Sequence, residues 1–169
     1  MLNPDFAEML RALSAEGVEY LVVGAYAMAA HGVPRATGDI DVWVRSSPAN
    51  AERVLRALHR FGAPLFDLTV ADLTREGTVF QLGLPPRRID LLTSIDGVTF
   101  EDAWPERVTS RFGDLEVTVI GREALVRNKR AAGRLKDLVD LRILARVRTS
   151  TKSAKRRGRR QRPTKPTRR

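Results

Sequence analysis

The chain has no cysteine among its 169 residues. That removes disulfides, thiolate nucleophiles and cysteine-held metals together. Long apolar runs are also missing. No stretch approaches the roughly 18 uninterrupted apolar residues that a membrane span needs, so no membrane association is expected. The opening MLNPDFAEMLRALSAEG lacks a basic segment followed by an apolar one. No secretory leader is expected there, and a cytoplasmic location is the simplest expectation. Aromatic residues make up only 6% of the chain, with none in the last segment, so that segment offers no aromatic ring for base stacking.

Acids are absent from the same segment. Arg148 to Arg169 carries eleven Lys or Arg residues and no Asp or Glu. With 30 basic and 20 acidic residues in the whole chain, residues 1–147 keep 19 against 20. The formal net charge of +10 therefore belongs to the tail, and the body is close to neutral. TSTKSAKRRGRRQRPTKPTRR has too few apolar residues to bury a core, so 148–169 is expected to be a disordered basic tail. Such a tail is either a phosphate-seeking arm for RNA or DNA, because clustered cations displace condensed counterions, or a solvated extension.

What remains is long enough for one domain with a genuine core. Asn3-Pro4 opens a helix with the apolar stripe Phe6, Met9, Leu10 and Leu13, and Gly17 stops it. Tyr20–Val23 reads as a buried strand, Ala25–Ala30 as a short helix and Ile40–Val44 as a second strand. Ser47-Pro48 starts a helix that runs to about Arg60. Strands are expected near 78–82 and 88–92, with a short helix capped by Thr99. A hairpin turns at Phe112-Gly113-Asp114. Helices over 123–132 and 135–147, parted at Gly133, close the body. The pattern is α/β, of the α+β kind: a core over 1–120, a C-terminal helical part over 121–147, then the tail.

The chemistry gathers in GAYAMAAHGVPRATGDIDVWV, residues 24–44. Side chains alternate along a strand, so Asp39 and Asp41 share one face while Ile40, Val42 and Val44 take the other. Two adjacent carboxylates repel each other unless they are solvated or hold a cation between them. Paired Asp oxygens suit Mg²⁺, which keeps waters and joins substrate phosphates. Asp90, in RRIDLL, is the candidate third carboxylate of a two-metal site.

A strand, a Gly-small pair, a short helix and Asp-x-Asp on the next strand resemble the polymerase-beta-like nucleotidyltransferase superfamily. HGVPRATGDIDVWV with RLKDLVDLRIL is similar to the AbiEii and minimal-nucleotidyltransferase group associated with toxin–antitoxin systems. The resemblance covers roughly residues 5–147. It implies a nucleotidyltransferase-like mixed sheet flanked by helices, with Asp39, Asp41 and Asp90 as metal ligands and catalytic residues. It further implies that Gly24, Ala25, Arg35, Thr37 and Lys129 contact a nucleoside triphosphate. Ala25 departs from the pattern, since many members have serine there to hydrogen-bond a phosphate.

Plainer readings stand beside each assignment. Asp39 and Asp41 could be a solvated strand face, and Asp90 could pair with Arg87 or Arg88. His31 either contacts a nucleotide or shapes a turn. Lys129, Arg134 and Lys136 could be a solvated helical face, and Asp137 and Asp140 could bridge Arg134 and Lys136 at helical spacing. Trp43 is expected in the core. The resulting expectation is a Mg²⁺- or Mn²⁺-dependent transfer of a nucleoside monophosphate from an NTP, such as ATP, to an RNA, tRNA or protein hydroxyl, with a toxin or antitoxin as partner. The alternative is a non-catalytic antitoxin or RNA-binding module on the same fold.

Overall fold

The structure is a computed structural model that describes residues 2–159, with side chains described for 2–147. Its elements in chain order are α1 (Pro4–Ala15), β1 (Tyr20–Val23), α2 (Gly24–Ala30), β2 (Asp39–Val44), α3 (Pro48–Phe61) and α4 (Val70–Thr74). They continue as β3 (Val79–Leu82), β4 (Arg88–Leu92), α5 (Phe100–Ala103), β5 (Val108–Phe112), β6 (Leu115–Val119), α6 (Arg122–Ala132) and α7 (Leu135–Arg159).

The helix starts follow local chemistry. Asn3 accepts a hydrogen bond from the Asp5 amide at 2.8 Å, with Pro4 in the first turn. Ser47 does the same for Asn50 N–H ahead of α3, and Thr99 for Asp102 N–H ahead of α5. These bonds satisfy amides that a helix leaves without internal partners. The short helix α4 has no counterpart in the sequence reading. Its signal is a reciprocal cap, in which Thr69 and Asp72 each bind the other's backbone N–H. A five-residue helix shows too little apolar periodicity to be seen otherwise. The last helix was expected to end at Val147 but continues to Arg159. Lys, Arg and Ala favour helix, and lengthening an existing helix adds a hydrogen bond per residue. The expected start of the tail at 148 thus falls inside α7, and residues 160–169 lie outside the described residues.

The six strands form one mixed sheet in the order β3-β4-β2-β1-β6-β5. β2 runs antiparallel to β1 and parallel to β4, and β6 joins the far side of β1 in parallel. β5 and β6 are the expected hairpin. One core cluster joins α1, the central strands and α3, with Phe6, Leu10, Leu21, Val42, Val54 and Leu58 all buried. Buried Asn50 ties α3 to the strand ends. It accepts from Glu19 N–H at 2.8 Å and donates to the Glu19 and Arg45 carbonyls at 3.1 and 2.9 Å.

Candidate active site

In the β2–β4 ladder Asp39 stands opposite Arg88, and Asp41 opposite Asp90. Opposed residues share a face, as do residues two apart. These four side chains therefore form a two-by-two block on one face. Ile40, Val42, Ile89 and Leu91 fill the core from the other. Farther along the block's face comes Trp43, which is buried as expected. It packs edge-on against Phe100 at 5.0 Å and donates Nε1–H to the Thr93 carbonyl at 3.3 Å. One sheet face thus passes from a sealed aromatic end, covered by α5, to an acidic end.

The acidic end opens into a cavity of about 510 Å³. That size falls within the usual range for ligand sites. Asp39, Asp41, Arg88 and Asp90 line it from the sheet, with Gly24 and Ala25 at the start of α2. Arg35 and Thr37 line it from the loop before β2, and Lys129, Arg134, Lys136 and Asp137 from the α6–α7 corner. All eight residues expected from the sequence to serve the site are therefore brought to one cavity. His31 is not on its wall. The His31 ring bonds the Ile120 carbonyl through Nε2 at 2.8 Å, which suits the turn-forming reading.

Gly24 has φ +63°, and a Cβ there would overlap Oδ2 of Asp41. The position needs glycine twice, for its left-handed backbone and for the carboxylate beside it. Burial raises the Asp41 carboxyl above the ordinary range, and repulsion from Asp90 and Asp39 adds to the shift. Lys136 and Arg134 pull in the opposite direction, which places their charges within electrostatic reach of Asp41 across the cavity. Thr37 is held locally, donating Oγ1–H to the Asp39 carbonyl at 3.1 Å and accepting from Asp39 N–H at 3.2 Å.

Arg88 neutralises the acidic block from within. Its Nε donates to Asp90 Oδ1 at 2.7 Å, and its Nη2 donates to Asp90 Oδ2 at 3.0 Å and to Asp39 Oδ2 at 3.2 Å. The paired bond to Asp90, above all, holds the guanidinium charged. The sequence offered this pairing only as the plain alternative for Asp90.

A second network buries charge between the helices. Lys129 Nζ lies 3.0 Å from Asp137 and 2.7 Å from Asp140, and all three side chains are buried. Asp140 also accepts from Arg35 at 2.9 and 3.0 Å, and Asp137 from Arg134 Nε at 2.6 Å. Burial opposes ionisation of Asp137, but the bonds from Arg134 and Lys129 hold its carboxyl below the ordinary range. The expected Asp137–Arg134 bridge is present. Asp140, however, pairs with Arg35 and Lys129 rather than Lys136. Sequence spacing showed the bridge from Arg134, just ahead of α7, to Asp137 in its first turn, while the partners from α6 and the loop before β2 come only from the tertiary fold. Arg35 and Lys129 reach the cavity wall with carboxylates already on them. Arg134, itself held by Asp137, and Lys136 join that wall as well; a solvated face was the plain reading of both.

The three carboxylates offer only oxygen donors on adjacent strands, the donor chemistry that Mg²⁺ and Mn²⁺ take. Among the described residues no group of three His, Cys, Asp or Glu side chains stands assembled to hold an ion. Arg88 lies across two of the three carboxylates. The donor set fits a divalent cation in kind, with Arg88 as the group that has to yield.

A solved structure from Thermotoga maritima, provisionally described as a nucleotidyltransferase, shares this fold. Its TM-score is 0.54 at 16% sequence identity, over 86% of this chain and 96% of that one. No family profile and no curated protein matches the chain. The fold is therefore nucleotidyltransferase-like: a mixed six-stranded sheet flanked by helices. Among the described residues no helix is long and apolar enough to cross a membrane.

Proposed function

We propose that this chain is a metal-dependent nucleotidyltransferase that moves a nucleoside monophosphate from an NTP to a hydroxyl of RNA, tRNA or a partner protein. One observation carries the reading: Asp39, Asp41 and Asp90 face Arg134 and Lys136 across a single cavity. Carboxylates on one wall suit divalent cations, and cations on the other suit phosphates. Bound Mg²⁺ or Mn²⁺ would supply charge neutralisation at the reacting phosphate and a more acidic attacking hydroxyl. The chain's own groups do the rest. Gly24 and Ala25 bring backbone close to the triphosphate, and Arg134 and Lys136 hold its outer charges. The acceptor oxygen bonds to the α-phosphorus, the bond to the bridging oxygen breaks, and pyrophosphate leaves with that electron pair. Asp90 takes the hydroxyl proton on Oδ2 once Arg88 has moved away. Positioning and charge neutralisation account for most of such a transfer.

The likeness of the 31–44 and 134–144 segments to the AbiEii and minimal-nucleotidyltransferase group supports a toxin–antitoxin setting. The basic tail supports RNA over protein as acceptor. Incubation with each α-labelled NTP, Mg²⁺ or Mn²⁺, total tRNA and cell lysate tests the reading. It expects one labelled macromolecule, and no labelled product under any of these conditions counts against it.

Two observations favour the non-catalytic module as a second reading. Arg88 already neutralises Asp39 and Asp90, and Ala25 lacks the phosphate-binding hydroxyl. That module would bind its partner with equal affinity whether or not Asp39 is intact, and would label nothing.

A further inference from the structure

Helix α7 is turned against the usual pattern. Over its described side chains, the inward face carries Asp137 and Asp140, both buried, followed by buried Leu144. The outward face carries Leu135 at 84% exposure, Leu138 at 46%, Val139 at 54% and Ile143 at 38%. On a helix of 3.6 residues per turn these four lie on one stripe, with exposed Arg142 along its middle. The cause lies in the buried network. Lys129 and Arg35 draw Asp137 and Asp140 inward, and that rotation leaves the apolar side chains facing water. A contiguous apolar stripe of this kind marks an interaction surface more often than a free one.

We infer that the outward face of α7 is the docking site for an acidic amphipathic helix of a partner protein, which lays leucine-like side chains on Leu135, Leu138, Val139 and Ile143 and a carboxylate on Arg142. Charge selects this occupant. The only acids from Leu135 to the end of the chain are Asp137 and Asp140, and both are buried against cations. A second copy of α7 would therefore bring Arg142 and the following basic residues against their own kind, which opposes self-pairing. The chain's own tail has no acids and almost no apolar residues, so it matches neither half of the surface. RNA would satisfy the arginines and leave four aliphatic side chains wet. A lipid surface needs its cations at the edge of an apolar face, whereas Arg142 lies in the middle of this one. The helix-in-groove mode of recognition, with anchors three and four residues apart, fits the spacing.

The test uses the full chain and two fluorescein-labelled synthetic helical peptides. They share a leucine face and differ in having glutamate or lysine at its middle, opposite Arg142. Fluorescence anisotropy is expected to show the glutamate peptide binding at least about tenfold more tightly than the lysine peptide. Leu138→Gln with Ile143→Gln should weaken that binding about tenfold or more, and Arg142→Glu should turn the preference toward the lysine peptide. All three positions are exposed, and circular dichroism confirms that the variants are folded. Undiminished binding by the Leu138→Gln/Ile143→Gln protein would place the peptide on the basic tail and overturn the proposal. Equal binding of both peptides would overturn it as well. So would a wild-type dimer, seen by light scattering, that the same pair of substitutions disperses. Tighter binding to phosphatidylserine vesicles than to the glutamate peptide, lost in that variant, would assign the face to lipid instead.

Discussion

Arg88 grips Asp90 through two of its nitrogens, at 2.7 and 3.0 Å, two residues away on the same strand. The guanidinium fork matches a carboxylate in plane, which makes this pairing stronger than an ordinary surface bridge. Under the proposed metal binding, a divalent cation would compete with Arg88 for the same oxygens. Arg88→Gln should therefore bind Mn²⁺ at least about tenfold more tightly than wild type in calorimetry, since hydrogen bonds to charged groups contribute about 1.5–3 kcal/mol. Unchanged or weaker Mn²⁺ binding would show that Arg88 does not compete.

Asp41 gives a stability prediction. Its carboxyl is raised by burial first, then by Asp90 and Asp39, so the folded state takes up a proton more readily than the unfolded chain. Stability from this group is present below the unfolded value near 3.8 and is lost as pH rises through the higher folded value. At neutral pH the ionised form destabilises the protein. Without metal, Asp41→Asn should raise the melting temperature at pH 7 and flatten its decline above the acidic range. Scanning calorimetry across pH checks both effects. An equal or lower melting temperature for Asp41→Asn at pH 7 would contradict the assignment.

How much of this was open to the sequence follows from what each signal depends on. Asp39 and Asp41 were legible because strand alternation is local, and Asn3, Ser47 and Thr99 were legible as caps for the same reason. Asp90 was a candidate through its apolar neighbours, yet only the parallel β2–β4 register sets it against Asp41. Strand pairing over that distance leaves no local trace. Asp140 with Arg35 and Lys129 went unread because its partners lie on α6 and in the loop before β2. Residues 62–77 hid α4 because its signal is a cap rather than a stripe. The reversed rotation of α7 was invisible because Leu138 and Val139 look like core until Asp137 and Asp140 are known to be buried.

Lys129 distinguishes a structural role from a phosphate contact. Removing its charge leaves Asp137 and Asp140 buried with less compensation, and breaking a buried pair typically costs about 3–5 kcal/mol. Lys129→Met should lower unfolding stability in urea by an amount of that order. A loss under about 1 kcal/mol, a typical value for an exposed pair, together with weaker nucleotide binding would return Lys129 to the phosphates.

The tail is tested through salt. Removing 148–169 takes away eleven cations, so RNA affinity should fall and log K should depend less steeply on log salt. Filter binding at several salt concentrations measures the slope. An unchanged slope would assign RNA contacts to the body alone.

The central claim is that Asp39, Asp41 and Asp90 act together in nucleotide transfer. The most direct measurement follows transfer of label from an α-labelled NTP to macromolecule in the presence of Mn²⁺. Wild type is compared with Asp39→Ala, Asp41→Ala and Asp90→Ala, each shown by circular dichroism to be folded. The account predicts labelling by wild type and a loss of at least about a hundredfold in each variant, because each substitution removes electrostatic stabilisation at the reacting phosphate. Labelling that persists undiminished in all three would contradict the site while leaving the fold in place.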